Sequence, residues 1–155
     1  MTEQQNSSEG NTSYRGGNNP RKGKIVGPKR PFKAGDIWEI RQYLKLKGRT
    51  RDLALFNLGI DSKLRACDLL DMKVSDVGSG DTVFEQATVV QKKTDAVVTF
   101  EMTDATRATV RAWIDQAGLS LNDFLWASRN RRSRHLSMSQ YSRIIKGFAE
   151  VVGAD

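Results

Sequence analysis

Apolar residues recur at helical spacing from residue 34 to about residue 70, give way to β-branched runs near residue 87, and return to helical spacing after residue 103. In the first helical segment Ile37, Ile40 and Leu44 make one apolar face, with Tyr43 beside it. Asp36 with Glu39 three residues on reads as a capping box, and Gly48 closes the segment. A second helix is expected from Thr50 to Gly59. Its Leu53, Ala54, Leu55, Phe56 and Leu58 cover too much of the circumference for a surface helix, which makes it the buried centre of the core. A third, shorter helix is expected from Asp61 or Ser62 through Leu70.

The runs ATVVQ (87–91) and AVVTFE (96–101) flank the short polar connection KKTD, the pattern of an antiparallel hairpin. Between the third helix and this hairpin the pattern is ambiguous, and a short strand near Met72–Val74 followed by a turn at Gly78–Gly80 is expected. Thr103 opens another helix, with Val110, Trp113, Ile114 and Ala117 on one face and Gly118 at its end. A loop and the run RNRRSRH follow. Ser137 and Gln140 then form a capping-box pattern that opens a helix with Tyr141, Ile144, Ile145, Phe148 and Val152 at core spacing. No internal repeat is visible. The order predicts an α+β fold: a mostly helical single domain with a small antiparallel β-sheet, its hairpin at about residues 87–101.

Composition divides the chain before this domain begins. All three prolines (Pro20, Pro28, Pro31) and five of the thirteen glycines precede residue 34. Ile25, Val26 and Phe32 are the only clear core-formers there, too few to offset ordering entropy, so residues 1–33 are read as a disordered basic tail. The folded domain is expected over residues 34–155. The tail carries seven basic and two acidic side chains, so of the chain's net charge of +7 only +2 belongs to the domain. The runs RKGK (21–24) and PKR (28–30) suit either phosphate contact or a solubilising tail.

Several classes drop out on composition. The longest apolar runs are a handful of residues, against roughly 20 for a membrane-spanning helix, and MTEQQNSSEG has neither the charged nor the apolar region of a signal peptide. A single cysteine, Cys67, makes no internal disulfide, and cytoplasmic residence is expected. One cysteine and one histidine cannot close a tetrahedral zinc shell. Cys67 reads as a small buried hydrophobe.

The residues with most chemical content lie in Leu64-Arg65-Ala66-Cys67-Asp68-Leu69-Leu70. An arginine at the end of a buried helical stretch needs a partner for its charge. Two readings stay open: an ion pair with Asp68 or Asp71, or a guanidinium facing a cleft, where its planar fork can hold two oxygens of one phosphate.

The wider segment ALFNLGIDSKLRACDLLDMKVSDV (54–77) resembles the first box of the tyrosine recombinases, the phage-integrase group. In that family a Leu-Arg pair, two variable residues, an acidic residue and Leu precede a run ending in Ser-Asp-Val or Ser-Asp-Ile. Arg65 matches the family's first catalytic arginine. Gln91-Lys92-Lys93-Thr94 resembles the family's hairpin lysine motif, with Lys93 the better match and Lys92 next. The final segment HLSMSQYSRIIKGFAEVVGAD is similar to the helix before the family's next catalytic box, so the resemblance spans about residues 34–155.

The resemblance implies metal-free phosphoryl transfer with no cofactor, on double-stranded DNA, through a phosphotyrosyl intermediate. Arg65 would stabilise charge on the phosphate and Lys93 would protonate the leaving 5′ oxygen. It also favours phosphate contact by Lys92 and by the cluster Arg129, Arg131, Arg132 and Arg134, a cluster that otherwise reads as a solvated loop. Arg107 and Arg111, one helical turn apart, read as solvated.

The departures are specific. Lys63 stands where the family commonly has glycine, and Asp68 replaces its commoner glutamate. The His-x-x-Arg box and the nucleophilic tyrosine are missing: His135 is followed three residues on by Met138 and reads as a surface or loop histidine. Tyr14 falls in the tail, Tyr43 beside a core face, and Tyr141 at a core position. The expectation is a monomeric fragment of an integrase or site-specific recombinase from a mobile element, unable to cut DNA. The alternative is a non-catalytic DNA-binding or interaction module on the same scaffold.

Overall fold

The helix expected at the centre of the core is there, and it is longer than its sequence pattern indicated. In the computed structural model, α2 spans Thr50–Ser62, running past Gly59, beside which the Leu69 side chain packs. The structure describes residues 32–129 and 134–153, all within one compact unit. The expectations for residues 1–31 of the tail, including the RKGK and PKR runs and Tyr14, lie outside the described residues, whereas Phe32, expected in the tail, packs against Phe56.

Two apolar clusters meet on α2, which is why its sequence is apolar nearly all round. One face contributes Ala54, Leu55 and Leu58 to the larger cluster; the other contributes Leu53 and Phe56 to the smaller. The smaller cluster is closed by α1 (Ala34–Leu46), through Ile40 and Leu44, and by Phe148 of α6 (Met138–Val151). Phe56 stands edge-on to Phe32 and Phe148, with ring centroids 6.1 and 5.1 Å away. Ile144 touches both clusters.

The polar residues buried on α2 are all partnered. Asn57, 2% exposed, accepts the Arg41 Nε–H at 2.6 Å and donates to Thr109 Oγ1 at 3.3 Å. That network ties α1 to α2 and to α5 (Asp104–Ala117). A buried amide left unpaired is costly, so these bonds also specify how the three helices register.

Several expected boundaries move. At the start of α1, Asp36 is the third helical residue and its carboxylate accepts the Lys33 N–H at 3.0 Å, so the helix begins earlier than a cap at Asp36 would allow. The third helix, α3, is only Ala66–Leu70, because Lys63 leaves the helical path with φ +55°. Where a strand was expected near Met72–Val74, the chain forms α4 (Val74–Val77), with the Asp76 carboxylate accepting the Lys73 N–H at 2.8 Å. The strand character survives as a single bridge between Lys73 and Phe124.

Two small antiparallel sheets take the place of one. β1 (Gly78–Ser79) and β2 (Thr82–Val83) form a minimal hairpin. The main hairpin pairs β3 (Gln86–Val90) with β4 (Val97–Glu101), in the register Gln86↔Glu101 to Val90↔Val97. Its inner face buries Ala87 and Phe100 in the larger cluster, while Gln86, Thr88, Thr99 and Glu101 face water. The alternation of a one-sided sheet follows.

The two later helices sit where their caps put them. Thr103 Oγ1 accepts the Thr106 N–H, and Gly118 ends α5 in the left-handed conformation. Ser137 and Gln140 exchange side-chain to main-chain bonds at the start of α6. Between these helices the expected loop carries Leu125 and Trp126, both fully buried in the larger cluster. The α+β architecture is as the sequence indicated. Among the described residues no helix is long and apolar enough to cross a membrane.

Candidate functional site

The turn after α2 decides where Arg65 points. Lys63 bends the chain, the Ser62 hydroxyl accepts the Leu64 N–H at 3.3 Å, and Arg65 caps α3 with an extended backbone. Its carbonyl accepts the Leu69 N–H at 2.9 Å. The guanidinium is exposed and has no hydrogen bond or ion pair among the described residues.

The ion pair that could have absorbed Arg65 does not form. The Asp68 carboxylate, 5% exposed, turns inward and accepts the main-chain N–H of Lys92 at 3.0 Å. Asp71 is taken by the same residue, its Oδ1 lying 3.0 Å from Lys92 Nζ. Lys92 is thus held at both its main chain and its side chain by the two acids that follow Arg65. Of the two open readings for Arg65, the ion pair does not form among the described residues; the guanidinium is unpaired there but lines neither of the two clefts that Arg129 lines.

The connection between β3 and β4 is closed by its own bonds. Gln91 N–H donates to the Ala96 carbonyl and Asp95 N–H to the Gln91 carbonyl, both at 2.9 Å, and Asp95 takes φ +55°. Thr94 Oγ1 donates to Gln91 Oε1 at 3.0 Å. Lys93 is exposed at the tip of this turn, with no side-chain partner among the described residues. Arg65 and Lys93 therefore sit on two elements joined through Asp68.

Arg131 and Arg132 are outside the described residues; Arg129 and Arg134 are described and exposed. Arg129 lines a cleft of about 450 Å³ with Arg49, Arg51, Asp52 and Trp113, and an adjoining cleft of about 340 Å³ with Arg51, Gln140 and Arg143. Arg65, Lys92 and Lys93 line neither. Sequence reasoning missed Arg51 and Arg143. The Arg49-Thr-Arg51 run was a signal available before the fold was known, whereas Arg143 joins it only by folding.

Other candidates resolve into structural roles. Arg107 and Arg111 lie at the surface, about a quarter of each side chain exposed, and are paired there: Arg107 with Asp104 and Glu85, and Arg111 with Asp115 and the Gly80 carbonyl. Hydrogen bonding to Arg111 holds the Asp115 carboxyl below its usual range. His135 is half-buried, its Nδ1–H donating to the Leu136 carbonyl at 2.7 Å and its ring edge-on to Phe124. Tyr141 is partly buried against the larger cluster, and burial pushes its phenol up. Tyr43 packs on the smaller cluster, and Cys67 is a half-buried free thiol.

The fold has solved counterparts. XerA recombinase superposes with a TM-score of 0.66 at 20% identity, over 84% of this chain and 47% of that one. The XerH site-specific recombinase bound to difH substrate, in a pre-cleavage complex, gives a TM-score of 0.61 at 14% identity, over 82% of this chain and 38% of that one. The fold is tyrosine-recombinase-like. The chain spans less than half the length of these two structures. No family model and no curated protein matches the sequence.

Proposed function

We propose that residues 34–155 are part of the catalytic domain of a DNA breaking-and-rejoining enzyme, and that Arg65 and Lys93 are its phosphate-facing residues. One observation carries this reading: the Asp68–Lys92 bond joins the element bearing Arg65 to the turn bearing Lys93, while both cations stay unpartnered among the described residues. Free, charged and held at fixed stations, they suit a phosphate. The likeness to a recombinase bound to its DNA substrate supports duplex DNA as the partner.

In this reading Arg65 donates to the non-bridging oxygens that gain charge as a tyrosine oxygen, its phenol proton given up to water, attacks phosphorus. The Lys93 ammonium gives its proton to the departing 5′ oxygen, leaving a 3′-phosphotyrosyl bond and a 5′-hydroxyl. The reverse step returns the proton to lysine. The two described tyrosines do not fit the attack: Tyr43 and Tyr141 pack on the core clusters, and no His-x-x-Arg follows the one histidine. Lys92, Arg129 and Arg134, with Arg131 and Arg132, supply further phosphate contact.

Duplex binding by fluorescence anisotropy, together with a nicked suicide substrate run on a denaturing gel, tests the proposal. The expected dissociation constant is about 10⁻⁴–10⁻⁶ M at physiological salt, weakening steeply as salt rises. Arg65→Ala and Lys93→Ala should each weaken binding, and no covalent adduct should form. Unchanged affinity in both variants would remove the two residues from the site. An adduct abolished by Tyr141→Phe would make that residue a nucleophile.

A further inference from the structure

We propose that the trough between the start of α2, residues 127–129 and α6 is a second phosphate site, one that grips the DNA backbone about 20 Å from the Arg65 face. The distance is the length of α2, 13 residues at about 1.5 Å each, with Arg51 in its first turn and Arg65 beyond its last. This inference rests on the reading of DNA as the partner and adds a separate point of contact.

The trough is assembled from distant parts of the chain. Its two clefts share Arg51, Ser128 and Arg129, so they run into one another. Asp52 is the one acid lining either cleft, against four arginines: Arg49, Arg51, Arg129 and Arg143.

The buried acid does more than neutralise. The Asp52 side chain is 6% exposed; its Oδ1 lies 3.1 Å from Arg51 Nε and its Oδ2 3.4 Å from Arg49 Nε. One carboxylate thus fixes two guanidiniums by their Nε edges and leaves their terminal amino groups without a hydrogen bond among the described residues. Those groups are the fork that takes two oxygens of a phosphate. Arg129 and Arg143 face them, exposed and unpaired among the described residues. Orienting two arginines in advance lowers the side-chain ordering cost of binding.

A polyanion fits better than a small one. The trough is continuous, and the 20 Å to Arg65 matches about six base-pair steps at 3.4 Å of duplex axis each. A duplex of a dozen or so base pairs can therefore reach both stations at once.

A 16-base-pair duplex titrated into the isotopically labelled chain tests this, with amide and arginine Nε shifts followed by NMR. Salt-dependent anisotropy of wild type and Arg129→Gln/Arg143→Gln runs in parallel, and a thermal melt confirms that the variant is folded. Shifts at Arg51, Ser128, Gln140 and Arg143, with a salt slope reduced by about 1–2 in the variant, are expected, since each neutralised phosphate contributes about 0.9 and two arginines are removed. Shifts confined to Arg65 and Lys93 with an unchanged slope would overturn the second site and leave the proposed function standing. Shifts at the trough without any at Arg65 and Lys93 would uphold the second site and sink the proposed function. No shift at either place would sink both.

Discussion

The buried carboxylate of Asp68 accepts the main-chain N–H of Lys92 at 3.0 Å, joining α3 to the hairpin turn. Asp68 lies three residues past Arg65, and Lys92 one residue before Lys93, so this bond ties together the two elements that carry the cations. Asp68→Ala should cost about 1.5–3 kcal/mol, the range for a hydrogen bond to a charged group, and should speed amide exchange at Lys92. Asp68→Asn keeps an acceptor and should cost less. Denaturant unfolding with site-resolved exchange measures both. Unaltered exchange at Lys92 in the alanine variant would show that the turn is held by its own bonds alone.

Lys63 adopts φ +55°, a left-handed conformation that crowds any side chain with a Cβ. The tyrosine-recombinase resemblance has glycine at this position, and the geometry gives the reason. Lys63→Gly should stabilise the fold by about 0.5–1 kcal/mol, the relief of roughly 1–2 kcal/mol of crowding less the entropy glycine loses on folding. A melting temperature higher by a few degrees is the expected readout. A lower one would mean that the lysine side chain contributes more than its conformation costs.

Gly78 is required for a different reason. Its φ is extended, yet a Cβ built on it would lie 2.6 Å from the Thr82 carbonyl oxygen across the β1–β2 pair. A main-chain oxygen in a paired hairpin cannot rotate aside. Gly78→Ala should therefore destabilise by about 1–3 kcal/mol, the usual range for overpacking, as read by chemical denaturation. Wild-type stability in that variant would show that the small hairpin can open without cost.

Burial raises the Tyr141 phenol above the ordinary value near 10. A group held protonated by the fold contributes stability that is complete below its unfolded pKa. That stability is lost as pH rises through the higher folded value. In an absorbance titration at alkaline pH, a final step above the ordinary phenol range should belong to Tyr141, and Tyr141→Phe should delete it. A final step that survives the substitution would assign the buried phenol elsewhere.

Much of this architecture was legible in the chain. The caps at Thr103 and Ser137, the left-handed Gly118, the hairpin around Lys92 and Lys93, and the apolar circumference of α2 all depend on residues within a few positions of each other. Such signals are local because a cap or a turn satisfies main-chain groups of the next few residues. The misread stretches were those where local preference was weak. Residues 74–77 became helical when Asp76 capped them, and the loop after α5 delivered Leu125 and Trp126 into the core.

The motif residues themselves stood in the sequence, but their electrostatic partners did not. Asp68 and Asp71 lie within two helical turns of Arg65, and sequence spacing allowed either to pair with it. Tertiary packing instead buried Asp68 against the hairpin and gave both acids to Lys92, which freed Arg65. In the same way Asp52 could be seen beside Arg49 and Arg51, while Arg129 and Arg143 reach them only across the folded chain. Short-range hydrogen bonding is set by neighbours in sequence. The partner a buried charge takes is set by whichever donor the packed fold brings within about 3 Å, because an unpaired charge in the interior costs too much to leave.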